Sequence, residues 1–258
     1  MITSNQNSKI KLVRALLGRA KERREAGVFV AEGVRLVEEA VNANWKFRFA
    51  LYDETLSERG RSQVESLRAA GVDVEEVSAS VMKSISETET PQGILAVLES
   101  TNLPIPRSAN FILIPDQIRD PGNLGTLLRS AAAAGVAAVL IPPETTDAFA
   151  PKVLRSGMGA HFRLPICSMS WDEIEAASKG FQVYVADMEG RSCWETDLRT
   201  PVVLIIGNEA EGASESARKL ADGSVSIPMS GETESLNAGA AGSVLMFEVM
   251  RQRTKMEN

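Results

Sequence analysis

Polar side chains that could bind a ligand follow two apolar runs near the end of the chain. Gly207–Glu209 stands directly after the apolar run Val202–Ile206, and Ser235–Asn237 follows a short run that stops at Pro228. Loops at the carboxyl ends of buried strands present free backbone N–H and C=O groups, and they are the usual ligand site of an open α/β sheet. The two segments therefore predict a shared pocket for a small molecule.

A third polar segment, Asn123–Arg129, has the same strand–loop–helix order. The simplest interpretation of Asn123 is a helix cap, because asparagine is favoured at that position. Arg129 lies on the polar side of the predicted helix, where most arginines are solvated. A guanidinium can also bind a phosphate through two parallel hydrogen bonds or stabilise developing negative charge. Both interpretations are open from the local pattern alone.

In order and spacing, the three segments resemble the motifs of the SpoU (TrmH-like) family of RNA 2′-O-ribose methyltransferases. The matching positions are Asn123, Gly125 and Arg129, then Gly207–Glu209 with Gly212, then Ile227–Met229 with Ser235–Asn237. The resemblance implies transfer of a methyl group from S-adenosylmethionine to a ribose 2′-hydroxyl of RNA, with ribosomal RNA favoured over transfer RNA. One departure is Ala238–Ala240, where the family often has Val-Ser-Val, so that no serine stands at position 239.

The resemblance also implies roles for individual residues. The implied catalytic residues are Asn123, Arg129, Glu209, Ser235 and Asn237. The implied cofactor-binding residues are Gly207, Asn208, Ile227, Met229 and Leu236. A guanidinium is effectively never deprotonated in a protein, which makes Arg129 an awkward base. Stabilising an alkoxide or binding a neighbouring phosphate suits it better, with the phosphate or a water taking the proton.

Composition narrows the other possibilities. The 258 residues are 44% hydrophobic and 24% charged, as in ordinary globular proteins, and no apolar run approaches a membrane span. The first residues lack the apolar core of a secretion signal, and a cytoplasmic protein is expected. With two cysteines and His161 as the single histidine, we expect no disulfide framework and no metal site. His161 is most simply a structural residue, and the chain contains neither a phosphate-binding loop nor a dinucleotide fingerprint.

Charge is distributed unevenly along the chain. The formal net charge is −6, yet the segment Lys9–Arg24 contains seven lysines and arginines and one acid, Glu22. This segment is either a solvated helix face or an arm that contacts RNA phosphates. The candidate RNA-binding residues are Lys9, Lys11 and Arg14 in this segment and Lys152 and Arg155 in a second basic stretch.

Hydrophobic periodicity predicts α/β structure throughout. Predicted strands include Phe47–Tyr52, Val72–Val77, Phe111–Ile114, Val136–Ile141 and Val202–Ile206; predicted helices include a stripe from Ile10 to Ala20, Glu32–Asn42, Leu56–Ala70 and Leu236–Arg251. Two prolines and no periodicity mark residues 101–109 as a linker. The chain thus divides into domains at 1–100 and 110–258. The second resembles a doubly wound, mostly parallel α/β domain.

The family resemblance adds three structural expectations. It implies that the second domain is a SPOUT domain with a trefoil knot, which pattern alone would reject because knots are rare. It implies that residues 1–100 form a smaller α/β domain like ribosomal protein L30e that binds the RNA substrate. It also implies a homodimer formed through the helix Leu236–Arg251, which carries more apolar residues than one buried stripe needs. The alternatives are a transfer-RNA enzyme, an antibiotic-resistance rRNA enzyme, an RNA-binding protein without turnover and a Rossmann oxidoreductase.

Overall fold

The computed structural model describes residues 1–230 and 235–254, so that part of the predicted polar loop, 231–234, lies outside the described residues. The helices are α1 Ser8–Gly18, α2 Ala20–Ala26, α3 Val34–Asn42, α4 Glu58–Ala69, α5 Ala79–Ser84, α6 Pro121–Ala133, α7 Pro151–Gly157, α8 Trp171–Ala177, α9 Glu215–Leu220 and α10 Ala238–Thr254. The strands are β1 Val28–Glu32, β2 Phe47–Tyr52, β3 Val74–Glu76, β4 Ile94–Glu99, β5 Phe111–Pro115, β6 Ala138–Ile141, β7 Ile166–Ser168, β8 Gln182–Ser192, β9 Val202–Ile206 and β10 Gly223–Ser226.

The chain forms two compact units. The first unit is Met1–Thr101 with Phe149–Phe162, and the second unit is Asn102–Ala148 with Arg163–Asn258. The predicted second domain, 110–258, therefore differs from the second unit in one segment, because Phe149–Phe162 belongs to the first unit. The reason is aromatic packing: the Phe149 ring lies 4.9 Å from that of Phe29, and the Phe162 ring lies 5.3 Å from that of Trp45. Such pairs bury large apolar surfaces.

The first unit is built on a four-stranded sheet in the order β1-β4-β2-β3, with β2 and β3 parallel and the other pairs antiparallel. Helix α1 packs its buried face, Ile10, Val13 and Leu16, into the core of this unit. The prediction of one continuous helical stripe from Ile10 to Ala20 is wrong. The helix is interrupted because the backbone becomes extended at Arg19, with φ −136° and ψ 124°. Glycine is a weak helix former, and Gly18 ends α1.

The second unit contains a six-stranded sheet in the order β10-β8-β9-β5-β6-β7, in which every neighbouring pair is parallel. All residues of β5 and β9 are buried, as expected for the inner strands of a parallel sheet. This confirms the predicted α/β class and parallel sheet. The chain leaves β5 toward β6 and β7 on one side, while β9 and β8 lie on the other. The β5–β9 boundary is thus the switch point where such sheets bind ligands.

Helix α10 begins at Ala238, two residues later than predicted, and Asn237 precedes it as a cap. The side-chain Oδ1 of Asn237 accepts from the Ala240 N–H at 3.2 Å, and its carbonyl accepts from Ala241 at 2.8 Å. The helix packs closely on α6, where a Cβ at Gly242 would lie 2.3 Å from the Leu127 side chain. Within residues 1–230 and 235–254, no helix is both long enough and apolar enough to cross a membrane. The trefoil knot stays a prediction.

Candidate active site

The loop after β9 approaches itself so closely that its first residue must be glycine. Asn208 and Gly212 exchange two backbone hydrogen bonds of 2.9 Å, and Gly212 has φ +70°. A Cβ at Gly207 would lie 2.5 Å from backbone atoms of Gly212 and Ala213. The Asn208 side chain fixes the turn, because its Nδ2 donates to the Gln117 carbonyl at 3.0 Å and its Oδ1 accepts from Ala210 at 2.9 Å. The turn therefore presents its backbone in one fixed conformation.

A buried carboxylate connects this loop to the neighbouring strand. Asp116 directly follows β5, is fully buried, and donates its backbone N–H to the Ile206 carbonyl at 2.8 Å. Its Oδ2 accepts from the Ser214 N–H at 2.6 Å. Burial raises the pKa of Asp116 above its ordinary value, since the low-dielectric surroundings disfavour the ionised form. Asp116 thus holds both ends of the loop 207–214 against the sheet.

The three predicted motifs meet in one hydrogen-bonded cluster, Asn123, Glu209 and Asn237, which we call the polar network. Glu209 Oε1 accepts from Asn123 Nδ2 at 2.5 Å, from Asn237 Nδ2 at 2.9 Å and from the Ala238 N–H at 3.1 Å. The Asn237 amide also donates to Asn123 Oδ1 at 2.8 Å. Hydrogen bonds to an ionised carboxylate are stronger than neutral ones. The network therefore ties the start of α6, the loop after β9 and the start of α10 together.

Asn123 is free to join this network because it does not cap α6. The cap is Asp120, whose Oδ1 accepts from the Asn123 N–H at 2.8 Å. The interpretation of Asn123 as a helix cap is therefore wrong. Asn123 instead lies in the first turn of the helix, and its side chain points toward Glu209 and Asn237.

A cleft of 360 Å³ opens beside the network, at the carboxyl ends of the central strands. Seven of the predicted catalytic and cofactor residues line it: Gly207, Asn208, Glu209, Ile227, Met229, Ser235 and Leu236. Met229 and Leu236 are 38% and 37% exposed, which is unusual for large apolar side chains in a concave site. The size and the mixture of apolar side chains with a few polar groups are typical of small-molecule pockets.

Two residues that the sequence interpretation missed also line the cleft. Arg218 Nη1 lies 3.0 Å from Asp187 Oδ2, and Arg218 Nε donates to the Ala213 carbonyl at 3.2 Å. Asp187 lies in the middle of β8, so no strand-end signal marks it in the sequence. No local pattern marks Arg218, because its position depends on where α9 packs.

Arg129 is not brought to the cleft of its own chain. It is exposed on α6, and its side chain makes no hydrogen bond or ion pair with any residue in the described ranges. It lies six positions after Asn123, which places the two side chains about 120° apart around the helix and about 9 Å apart along it. Ser235 and Asn237 are also exposed. The assigned roles of all five catalytic candidates stay predictions.

The candidate RNA-binding residues differ in how far their charges are compensated. Lys9 is ion-paired with Asp73 at 2.5 Å and with Glu75. Arg155 contacts Glu87 at 3.3 Å and Glu32 at 3.8 Å. Arg14 donates to two neutral groups, Asn5 Oδ1 and Ser84 Oγ, and the Lys11 side chain is exposed. Lys152 lies on the surface of α7. Their role in RNA binding stays a prediction.

Comparison with known proteins places this geometry in a family. The SpoU rRNA Methylase family model matches residues 110–247, and the MRM3-like substrate binding domain model matches residues 7–96. The chain is 34% identical to the 23S rRNA (uridine(2479)-2′-O)-methyltransferase of Streptomyces viridochromogenes, covering 97% of this chain and 92% of that protein. It is also 34% identical to the 23S rRNA (guanosine(2553)-2′-O)-methyltransferase RlmP of Bacillus subtilis, covering 96% and 98%.

Solved structures give the same result. The SpoU methyltransferase AviRb of Streptomyces viridochromogenes in complex with AdoMet superposes with a TM-score of 0.83 at 31% identity, covering 96% of this chain and all of that one. An AdoMet-bound rRNA methyltransferase from Sinorhizobium meliloti gives 0.85 at 31% identity, covering 97% of each chain. The chain belongs to the SpoU rRNA methylase family, as the motif pattern predicts.

Proposed function

We propose that this protein transfers a methyl group from S-adenosylmethionine to a ribose 2′-hydroxyl of ribosomal RNA. The observation that carries the proposal is the polar network, in which Glu209 Oε1 joins Asn123 and Asn237 at the edge of the cleft. Residues from three separate segments thus meet where a small cofactor and a polymeric substrate can be held side by side.

The cleft fits S-adenosylmethionine. Gly207 lines the cleft, and its lack of a Cβ allows the tight turn that holds the loop backbone beside the ligand space. Ile227, Met229 and Leu236 supply apolar contacts, and the loop amides and carbonyls supply hydrogen bonds to a purine and an amino acid. When bound, the cofactor supplies a methyl group on a positively charged sulfur. The chain's own residues must position it and prepare the ribose.

On the substrate side, the ribose hydroxyl must lose its proton while it attacks. Arg129, exposed and without a partner among the described residues, is suited to bind an RNA phosphate and to stabilise the developing alkoxide. Glu209 Oε1 is occupied by three donors, so Oε2 is the oxygen that remains for the substrate. Asn123 and Asn237 hold that carboxylate in place, while Ser235 lines the cleft nearby.

The substrate class follows from relatives. The relatives in Streptomyces viridochromogenes and Bacillus subtilis both carry names that specify 23S rRNA, and both align over nearly their whole length. We therefore favour 23S rRNA over transfer RNA, and the cytoplasm as the place of action. Among the candidate RNA contacts of the first unit, Lys11 and Arg14 offer positive charge to such a substrate, whereas Lys9 and Arg155 are ion-paired within the protein.

A homodimer through α10 is part of the proposal. Val244, Phe247 and Met250 form a ridge on α10 and are 40%, 45% and 41% exposed. The opposite side of the helix is buried, so the exposed ridge is surplus to its own core. In a symmetric homodimer, the same ridge of a second copy would bury it. Light scattering should give a dimer mass at micromolar concentration, and Phe247→Glu should give a monomer; a monomeric wild type contradicts the dimer.

Methyl transfer is tested directly with radiolabelled S-adenosylmethionine. The purified protein is incubated with unmodified 23S rRNA and, separately, with unmodified transfer RNA. Label should enter the 23S rRNA and make one ribose resistant to alkaline cleavage. The same nucleotide should lose its 2′-O-methyl group in cells that lack the gene. Label in transfer RNA alone would show that transfer RNA, and not 23S rRNA, is the substrate. No label in either RNA would refute the proposed methyl transfer.

A further inference from the structure

The break between α1 and α2 forms a small concave site on the first unit. A cavity of 320 Å³ lies there, which we call the basic notch, lined by Lys11, Arg14, Ala15, Gly18, Arg19 and Glu22. It exists because the backbone turns to an extended conformation at Arg19 instead of continuing the helix. We propose that the basic notch binds a backbone phosphate of the RNA substrate, an inference that rests on the proposed function.

The charge balance separates these cations from the others in the same segment. Lys9 is ion-paired with Asp73 and Glu75, and Lys21 with Glu25 at 3.7 Å. Arg23 is buried and donates to the Leu16 carbonyl at the end of α1. These three side chains are therefore used within the protein. Of the seven basic residues in Lys9–Arg24, fewer therefore remain to bind an external anion.

The cations of the notch itself are not neutralised. Lys11 and Arg19 are exposed, and their side chains make no hydrogen bond or ion pair with any residue in 1–230 or 235–254. Arg14 is held by two neutral groups, Asn5 Oδ1 at 3.3 Å and Ser84 Oγ at 3.2 Å, so its position is fixed while its charge is kept. Three cations face one acid, Glu22, on a protein whose net charge is −6.

The floor of the notch admits an anion. Ala15 and Gly18 carry little or no side chain, and a Cβ at Gly18 would meet no atom within 4 Å. Lys11, Arg14 and Gly18 are spaced i, i+3 and i+7, which places them on one face of α1. A pre-positioned guanidinium between two exposed cations is a suitable arrangement for bidentate contact with a phosphate. RNA supplies such phosphates in a regular row.

The main experiment compares two triple variants of the full-length protein. Lys11→Gln, Arg14→Gln and Arg19→Gln neutralise the notch. The control, Lys21→Gln, Lys46→Gln and Arg59→Gln, removes the same charge from exposed cations of the first unit that pair with Glu25, Glu99 and Glu38. Binding to unmodified 23S rRNA is measured between 50 and 200 mM KCl, which are about the concentrations over which phosphate contacts are lost. Thermal melting of both variants checks folding.

We expect the notch variant to bind at least about tenfold more weakly and to lower the salt slope by about one or more, as for each lost phosphate contact. The control should lower the slope by much less. Equal slopes for the two triples would overturn the notch, because binding would then follow net charge alone. Methyl transfer by the wild type is measured in parallel; its absence refutes the proposed function, whereas equal slopes with intact transfer refute only the notch.

A second pair of variants tests the notch without removing any cation. Gly18→Glu places a carboxylate in the cavity, and Gly18→Gln places a neutral side chain of the same size there. The space around Gly18 is open and its φ is not positive, so both variants should fold. Gly18→Glu should weaken binding to 23S rRNA several-fold more than Gly18→Gln. Identical binding by the two variants would overturn the proposal.

Discussion

The polar network of the second unit and the basic helices of the first show opposite relations between sequence and structure. Asn123 and Glu209 are 86 residues apart, yet they meet because parallel strands deliver their loops to one edge of the sheet. Lys9 and Asp73 are 64 residues apart, and their contact neutralises a charge that a count along the sequence assigns to RNA binding. Long-range folding assembles chemistry in the first case and cancels it in the second. A motif at a strand end is therefore a safer guide than a count of charges.

The largest expected effect comes from Arg129, which lies on α6 outside the polar network. Arg129→Ala should lower single-turnover methyl transfer by at least about 100-fold, the scale for losing a group that stabilises transition-state charge. Affinity for S-adenosylmethionine, measured by calorimetry, should stay nearly unchanged because Arg129 does not line the cleft. Arg129→Lys should restore little, since an ammonium lacks the guanidinium fork.

The matched control for Arg129 is Arg107→Ala, which removes another exposed arginine of the second unit. It should leave single-turnover transfer within about twofold of the wild type, as usual for surface substitutions. A wild-type rate for Arg129→Ala would move the catalytic assignment away from α6 and toward Glu209 and Asn237.

The network itself can be broken by replacing an amide with a carboxylate. In Asn237→Asp, a carboxylate oxygen replaces the Nδ2 that lies 2.9 Å from Glu209 Oε1. Two facing carboxylates repel, so transfer should fall about tenfold at pH 8 and recover as one of them is protonated at lower pH. Adding Glu209→Gln removes the second carboxylate, so the double variant should not recover at lower pH, which a double-mutant cycle measures. The ratio of the Asn237→Asp rate to the wild-type rate should rise as pH falls. A constant ratio would contradict repulsion between the two carboxylates.

Much of the second unit could be predicted because its signals are local. The buried runs of β5 and β9 predict inner parallel strands, and the residues just after β9 form the loop that lines the cleft. β2 in the first unit has the predicted bounds, Phe47–Tyr52. These features depend on apolar runs and on the turns that end them, and both are determined by residues that are consecutive in the sequence.

The features that escaped prediction depend on distant partners or on small free-energy differences. Arg218 enters the cleft only because Asp187 and the Ala213 carbonyl hold it there. Asp120 caps α6 in preference to Asn123, although both are favoured cap residues. Phe149 and Phe162 join the first unit through aromatic contacts across more than a hundred residues of chain. No pattern in consecutive residues reports such contacts.

The contact between α6 and α10 allows a smaller test, on stability. A Cβ at Gly239 would lie 3.2 Å from the Thr126 side chain and 3.1 Å from Asn237 Oδ1. Gly239→Ala should therefore lower the free energy of unfolding by about 1 kcal/mol, despite the better helix propensity of alanine. Adding Thr126→Ala should recover most of that loss, because it opens the crowded space. Urea unfolding of the two single variants and the double variant measures the coupling; additive effects would show that the two positions do not compete for space.

The smallest expected change concerns Asp116, which holds the loop 207–214 beside the network. Asp116→Asn keeps an oxygen that can accept from the Ser214 N–H and removes the carboxylate whose burial raises its pKa above 3.8. The net effect of Asp116→Asn on the free energy of unfolding near neutral pH should be under about 1 kcal/mol. Relief from burying a charge is offset by an unpaired amide N–H.

The pH dependence of this effect has a fixed sign. Because the folded pKa is raised, the stability that Asp116 contributes is present at acid pH and is lost as pH rises through the folded pKa. The variant lacks that loss, so its free energy of unfolding relative to wild type should increase as pH rises through this window and then level off. Urea unfolding from pH 4 to pH 8 measures the difference, and a difference that shrinks or stays constant as pH rises would show that Asp116 is not the buried titrating group.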